Sequence, residues 1–425
     1  MQFSFIHAAD IHLDSPLKGL EKYEGAPVDR IRHATRDALS NLVNVAIEEQ
    51  VAFVVIAGDI YDGDWKDYNT GLYFASQMSR LQKEDIPVYL IRGNHDAQSL
   101  ITKELALPDN VYEFPVDKPD TVTLEHLNTA IHGQGFSTRS VTDNLSKNYP
   151  EKVEGYFNIG LLHTSATGRE GHENYAPCQL SDLIDLGYDY WGLGHIHLRE
   201  VLYERNPVIL FPGNIQGRHI RESGNKGCTL VKVKENQVKH YEHRSLDVLR
   251  WALCEIDVTG SETFEDVLDQ IRIQLQDIQS QHNGLFIAVR VIVNGTTNVH
   301  QEMVADKDHV INNIRSLALE TGFGDVWIEK VKIDTKRVID VDELKEQYTP
   351  INSILRFLDE LAEDEEALQS LMSELKDIQK VLPHELKGKS AELDFSSSTI
   401  ITERLDDIED LILHQLSKKG EVRSS

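Results

Sequence analysis

The 425-residue chain is expected to be α/β, with helices packed on the faces of a sheet, and three observations point there. Residues 1 to about 110 alternate short apolar runs (Phe3-Ser4-Phe5-Ile6, Phe53-Val54-Val55-Ile56, Val88-Tyr89-Leu90-Ile91) with amphipathic stretches. Polar, chemistry-bearing residues follow each run, as ligand groups do at the carboxyl ends of strands in such folds. The length exceeds one ordinary core, so two or three domains are expected.

Taken in order, Pro27 suits a first helical position, and Ile31, Ala34, Ala38, Leu42 and Val45 recur at helical spacing. Asn69 reads as the cap of a second helix carrying Leu72, Ala75, Met78 and Leu81. From Thr129 to His240 strand signals dominate: Ala130-Ile131-His132, Phe157 to Leu162, Val208 to Phe211, and Thr229 to Val233. The Gly-rich polar stretch Thr167 to Pro177 reads as a loop beside the site, with His172 exposed. A second unit starts near Leu249. Its strand Trp251 to Val258 leads to a helix with Phe264, Val267, Leu268, Ile271 and Leu275. The strand Leu285 to Val293, a helix near Lys307 to Glu320 and the strand Val326 to Ile333 then complete a small α+β domain. From Ile339 the chain reads as acidic and helical. It carries apolar stripes at Ile351, Ile354, Leu355, Leu358 and Leu361; at Leu368, Leu371, Met372, Leu375 and Ile378; and at Leu405, Ile408, Leu411 and Ile412. These stripes either pack within the protein or dock a partner.

Composition narrows the function. No apolar run approaches the roughly 18–20 residues that span a bilayer, and the start does not read as a signal peptide. Cys178, Cys228 and Cys254 are too few and too scattered for a disulfide framework or structural zinc, and suit a reducing cytoplasm. A formal net charge of −27 disfavours nonspecific nucleic-acid binding by the bulk surface. A local patch at Arg218, His219, Arg221 and Lys226 could supply attraction, or simply be a solvated loop.

The chemistry lies in five segments: Asp10 with His12, Gly58-Asp59 with Asp62, Gly93-Asn94-His95-Asp96, His163, and Gly194-His195-Ile196-His197. One such residue alone is more often a satisfied structural group; the ordered series reads as a two-metal phosphoesterase site. Carboxylate, imidazole and amide ligands without thiolate favour Mn²⁺, Fe²⁺ or Zn²⁺. Two ions about 3.5–4 Å apart need a bridging carboxylate, for which Asp59 is the natural candidate. His95 is placed to protonate a leaving alkoxide. Asp62 either orients His95 or forms a surface ion pair.

At these residues the series D-I-H, G-D-I-Y-D, G-N-H-D, L-L-H and G-H-I-H resembles the calcineurin-like metallophosphoesterases. More narrowly, F-I-H-A-A-D-I-H-L-D-S-P and F-P-G-N-I-Q-G-R resemble the SbcD nuclease family and its YhaO-type branch. The resemblance is strong over the first 230 residues or so, architectural for the α+β unit and faint for the tail. It implies a four-layer α-β-β-α phosphoesterase core over 1–245, an α+β capping domain over 249–335 that helps place DNA, and an acidic helical region over 339–425. That last region would engage an SbcC-like coiled-coil ATPase, and two nuclease subunits would pair through the core as a homodimer. Carried over by motif, Asp10, His12, Asp59 and His197 would hold one metal. Asp59, Asn94, His163 and His195 would hold the other, usually manganese in the family, and His95 would be the proton donor. The implied activity is DNA phosphodiester cleavage, 3′-to-5′ on ends and endonucleolytic on single strands. One departure stands out: better-known members carry a Ser/Pro-like stretch where Phe211-Pro212-Gly213 is here followed by Asn214-Ile215-Gln216.

Two other readings compete. A phosphodiesterase or phosphatase acting on cyclic nucleotides, other small phosphoesters or phosphoproteins would keep the chemistry, but needs neither cap nor tail. An inactive scaffold docking an ATPase would be free to lose ligands, and this chain retains the full set.

Overall fold

The computed structural model describes residues 1–15, 28–62, 68–98, 106–166, 175–282, 284–322, 324–338, 350–364 and 366–370, with single positions at 373, 405 and 408. By internal contacts the chain divides into two units, Met1–Ala252 with Asn283–Ala288, and Leu253–His282 with Val289–Ser425.

Two six-stranded sheets form the first unit. In one, β1 (Gln2–Ala8), β2 (Phe53–Ala57), β3 (Val88–Ile91) and β4 (Val111–Glu113) run parallel. Antiparallel β11 (Gly227–Lys234) and β12 (Gln237–Ser245) extend it, giving the order β12-β11-β1-β2-β3-β4. In the other, β6 (Thr129–Gly133), β7 (Phe157–His163), β8 (Tyr190–Gly194) and β10 (Val208–Phe211) run parallel. Antiparallel β5 (Asp120–Leu124) and β9 (Glu200–Tyr203) close its edges.

Side chains alternate across a strand, so a strand buried on both faces is apolar throughout. On β1, Phe3 and Phe5 point with Phe53, Val55 and Ile91 toward Phe157, Leu161 and Tyr190 of the second sheet. Phe5 stacks on Phe53 at 5.0 Å and meets Tyr190 edge-on at 5.2 Å. The opposite face, with Ile6, Ala8, Val54 and Leu90, packs against α1 (Val28–Glu48) and α2 (Tyr68–Lys83) through Leu42, Ala46, Phe74 and Met78. The outer face of the second sheet, with Leu162, Trp191 and Phe211, is covered by Leu183 of α3 (Leu180–Asp185) and by Leu145 and Tyr149. The layers are therefore α-β-β-α, as expected.

Helix α2 begins at Tyr68, which puts Asn69 inside its first turn rather than at the cap. Asp14 ties the two helices together: it accepts a two-pronged bond from Arg36 and a 2.6 Å bond from Thr70. Pro27, His172 and most of the stretch Thr167 to Pro177 lie outside the described residues.

A third sheet, most of whose residues belong to the second unit, has the order β13 (Leu249–Asp257), β14 (Phe286–Thr297), β15 (Val326–Arg337). Thr263 and Asp266 form a reciprocal cap that starts α4 (Phe264–Gln281). The apolar positions Val267, Ile271 and Leu275 of α4 are buried, as are Val310, Ile314 and Leu317 of α6 (Lys307–Gly322). A short helix the sequence reading passed over, α5 (His300–Ala305), precedes α6. In α7 (Pro350–Glu363), Leu355 and Leu358 are buried while Ile354 and Phe357 are exposed. Leu368 and Leu405 are buried as well; Leu371, Met372, Leu375, Ile378, Leu411 and Ile412 lie outside the described residues. Among the described residues, no helix is long and apolar enough to cross a membrane.

Phe5 is fully buried and touches aromatic rings of both sheets. Phe5→Ala should cost about 3–5 kcal/mol, read by chemical unfolding; a loss below about 1 kcal/mol would mean the two sheets are not locked there.

Candidate metal centre

Each chemistry-bearing residue of the first unit stands at, or just past, the C-terminal end of a parallel strand. Asp10 and His12 follow β1, Asp59 and Asp62 follow β2, Asn94 and His95 follow β3, His163 ends β7, and His195 and His197 follow β8. The loops after β1 and β2 are zipped together: Asp10 N–H donates to Gly58 O at 3.0 Å and His12 N–H to Asp59 O at 3.0 Å. Asp10, His12, Asp59 and His195 all have positive φ, at 52°, 44°, 54° and 101°. Such conformations are strained for side-chain-bearing residues and cluster at functional sites. Gly58, at φ 91°, and Gly93 let two turns approach closely; a Cβ on Gly58 would lie 2.6 Å from His163 Nδ1, and one on Gly93 would collide with the Asp59 carboxylate.

Asp59 is the central group. Its Oδ1 accepts from the His95 N–H at 2.9 Å. Its Oδ2 faces His12 Nε2 at 3.7 Å on one side and His163 Nε2 at 3.5 Å on the other. Both distances are too long for hydrogen bonds, and both leave room for a cation between nitrogen and oxygen. His163 makes the case clearest. Burial pushes its pKa down to about 3, so the ring is neutral. Its Nδ1–H donates to Ala57 O at 2.9 Å, which leaves Nε2 bare. That bare nitrogen faces Asn94 Oδ1 at 2.9 Å and the Asp59 carboxylate, two more acceptors. Three converging lone pairs without a proton call for a positive ion. Burial likewise pushes the Asp10 and Asp59 carboxyls up, as expected for buried anions that need a cation beside them.

The other side of Asp59 has the same character. His12 Nε2 and His197 Nε2 stand 3.1 Å apart, and His197 Nε2 is 4.0 Å from Asp10 Oδ1. Asp10, His12 and His197 form one group able to hold a metal; Asp10, Asp59 and His163 form another. The donor set therefore fits one or two divalent ions. The Asp10 carboxylate also accepts from the His195 N–H, 3.0 Å from each oxygen. The His195 ring stands 5.3 Å from that of His163, centroid to centroid, and outside both groups.

His95 and Asp62 meet at 3.1 Å, Nδ1 to Oδ1. Burial lowers the pKa of His95, but its bond to Asp62 and the charges of Asp59 and Asp62 outweigh this and raise it. Burial works against the Asp62 anion too, yet the His12 ring 3.6 Å away and the contacts from His95 and Ser15 hold its pKa well below the usual range. The Ser15 hydroxyl donates to Asp62 at 2.7 Å. His12, Asp62 and His95 make a third His/Asp group able to hold a metal, with the Asp62 side chain 23% exposed.

One residue that braces the site lies outside the five sequence segments. Glu222 is buried and accepts from His197 Nδ1 at 2.7 Å, fixing that ring much as Ala57 O fixes His163. It follows no strand and belongs to no motif, so no sequence signal marked it. Asp96 builds the turn of the G-N-H-D segment by accepting from Gly93 N–H and Tyr61 N–H, each at 2.9 Å. The proposed basic patch turns inward: Lys226 is buried and donates to His197 O, and Arg218 reaches into the site, while Arg221 is exposed. Asn214, Ile215 and Gln216 are buried and brace the same loop. Asn214 Nδ2 donates to Glu222, and Gln216 bonds the backbone of Val248 and Leu249.

Because a methyl on Gly93 would strike both the Asp59 carboxylate and the Asp59 backbone N, Gly93→Ala should displace the Asp59 turn, lowering the melting temperature and the uptake of divalent metal together. Thermal unfolding by circular dichroism and metal analysis after dialysis would check this; unchanged stability with full metal content would show that the turn and its carboxylate have freedom to move.

Comparison with known proteins agrees with this geometry. The family model described as calcineurin-like phosphoesterase matches residues 3–199, and the one described as metallophosphoesterase YhaO, middle domain, matches residues 251–336. The chain is 33% identical over 296 residues to the uncharacterized metallophosphoesterase YhaO of Bacillus subtilis, covering 69% of this chain and 72% of that protein. It is 22% identical over 377 residues to the DNA double-strand break repair protein Mre11 of Sulfolobus acidocaldarius, covering 82% and 88%. The crystal structure of a dimetal phosphatase from Danio rerio aligns with a TM-score of 0.33 at 13% identity, over 55% of this chain and 93% of that one. With strand-end ligands, the two family models and the 33% identity to the Bacillus subtilis protein in agreement, the chain belongs to the calcineurin-like metallophosphoesterases, in the YhaO family, related to the Mre11/SbcD nuclease branch.

Proposed function

We propose that this protein is a two-metal-dependent DNA nuclease, a 3′-to-5′ exonuclease and single-strand endonuclease that works with an SbcC-like ATPase in DNA end repair. The observation that carries the metal chemistry is the position of Asp59 Oδ2 between His12 Nε2 and His163 Nε2. In this reading Asp10, His12, Asp59 and His197 hold one ion, and Asp59, Asn94, His163 and His195 the other, with Mn²⁺ the expected metal. When bound, the ions supply a polarised phosphoryl oxygen and a hydroxide near neutral pH. The chain supplies the rest. Ala57 O and Glu222 fix the two ligand rings. Asp62 aims the His95 ring, and His95 delivers a proton to the departing alkoxide.

DNA as substrate rests on the Mre11 relatives, whose names place them in double-strand break repair and one of which aligns with 82% of this chain. In the same reading residues 249–335 cap the nuclease domain 1–245, and residues 339–425 engage the ATPase. Pairing of two copies through the core is supported by Tyr68 and Leu72 of α2, one turn apart and 54% and 55% exposed.

Asp59→Asn should empty both metal sites, because the lost charge is shared by two cations, whereas His163→Ala should weaken chiefly one. Metal content of each variant checks this, and equal losses would count against the bridge. His95→Asn should keep both ions and lose about 10²–10⁴-fold on DNA, where the leaving alkoxide needs a proton. The loss on an activated aryl phosphodiester should be much smaller. Equal losses on both substrates, with metals in place, would remove the general-acid role. Failure of metal-loaded wild type to cut DNA while it hydrolyses cyclic nucleotides would move the substrate to small phosphodiesters.

A further inference from the structure

Arg218 lies on the loop between β10 and β11, whose neighbours Asn214 and Gln216 are buried and bonded and whose Gly217 O accepts from Trp251 Nε1 at 3.0 Å. Its place is thus well defined. The guanidinium stands between the two carboxylates that orient imidazoles of the site, with Nη1 3.9 Å from Asp62 Oδ1 and Nη2 3.5 Å from Glu222 Oε1. A made charge-assisted bond is about 2.7–2.9 Å long, so neither carboxylate holds the fork.

Both carboxylates are already occupied. Asp62 takes the Ser15 hydroxyl and faces His95. Glu222 takes the His197 ring, the Asn214 amide and the Arg218 N–H. The remaining contacts of the fork are closer but still longer than a made charge-assisted bond. Ser15 Oγ is 3.4 Å from Nη1, and His197 Nδ1, whose proton is directed at Glu222, is 3.2 Å from Nη2. Nε is buried with no hydrogen-bond partner. Arg218 is therefore a nearly buried guanidinium, its side chain 15% exposed, with donors to spare beside His95 and the candidate ligands. Its charge is felt by Asp10, His12, Asp59, His95 and His197 alike. A planar fork with permanent charge matches the oxygens of a phosphoryl group.

We propose that Arg218 binds the phosphoryl group of the substrate, donating to a non-bridging oxygen and supporting the negative charge that gathers there. This rests on the phosphodiester reading of the site. A purely structural clamp between Asp62 and Glu222 would instead show short, made ion pairs on both sides.

The test uses full-length protein loaded with Mn²⁺, comparing wild type with Arg218→Ala, Arg218→Gln and Glu222→Gln. Inorganic phosphate is titrated in by calorimetry, bis(p-nitrophenyl) phosphate is the assay substrate, and metal content and melting temperature are recorded for each. Arg218→Ala is expected to keep its metals and melting temperature, to bind phosphate about tenfold or more weakly, and to lose roughly 10²–10³-fold in kcat/KM. Glu222→Gln is expected to do the reverse in kind, shedding metal because the His197 ring is freed. If Arg218→Ala does not fold, Arg218→Gln, which keeps length and hydrogen-bonding capacity without the charge, decides the matter. Unchanged phosphate affinity in a folded, metal-loaded variant would overturn the proposal, as would loss of metal in parallel with Glu222→Gln. If wild type binds phosphate through Arg218 yet cleaves no phosphodiester, the phosphoryl site stands and the nuclease reading falls.

Discussion

The Asp59 carboxylate is held from two directions: a left-handed turn at φ 54° throws it inward, and the His95 N–H pins one of its oxygens. Its second oxygen is left to face two imidazoles across gaps that no proton fills. Around that arrangement the environment is arranged for cations. Burial raises the pKa of Asp10 and Asp59, and lowers that of His12, His163 and His197. Anions disfavoured as charges and imidazoles kept neutral are both relieved by a divalent ion. The centre is therefore poor as a set of ion pairs and good as a ligand shell.

How legible this was from sequence differs by residue. Asp10, Asp59, Asn94 and His163 could be singled out because each follows an apolar run, and a parallel strand buried on both faces must be such a run. The alternation of strand and helix in the first hundred residues exposed the first sheet and its two helices for the same reason. Strands β4, β5, β9 and β12 were not legible, since they lie at or next to sheet edges and mix polar with apolar residues. Glu222 was invisible because it sits in an irregular loop, where neither helical nor strand periodicity can mark an inward side chain. Arg218 was noticed only as one of several basic residues. That it turns inward, unlike Arg221 three positions on, depends on Gln216 and Trp251 holding the loop backbone.

The stretch Asn214-Ile215-Gln216 shows how a departure from a family pattern can serve structure. Asn214 donates to Glu222, so it supports the residue that supports His197. Gln216 bonds backbone groups of half-buried Val248 and buried Leu249. These side chains do not line a surface for a ligand; they fix the loop from which Arg218 projects.

The site draws its groups from both sheets, and this makes the core between them part of the function. Asp10, His12, Asp59 and Asn94 come from one sheet, His163, His195 and His197 from the other. A metal centre tolerates errors of only about 0.5 Å in ligand placement, so the sheets cannot slide on one another. Phe3, Phe5, Phe53, Phe157 and Tyr190 fill the space between them with rings in stacked, tilted and edge-on contact. Rings of this size have few rotamers and large contact areas, and interiors so packed transmit strain rather than absorb it. The same rigidity must offset the four strained backbone positions at the rim, each costing on the order of 1–3 kcal/mol. A softer core would let Asp10, His12, Asp59 and His195 relax to ordinary conformations, and the lone pairs that now converge would part.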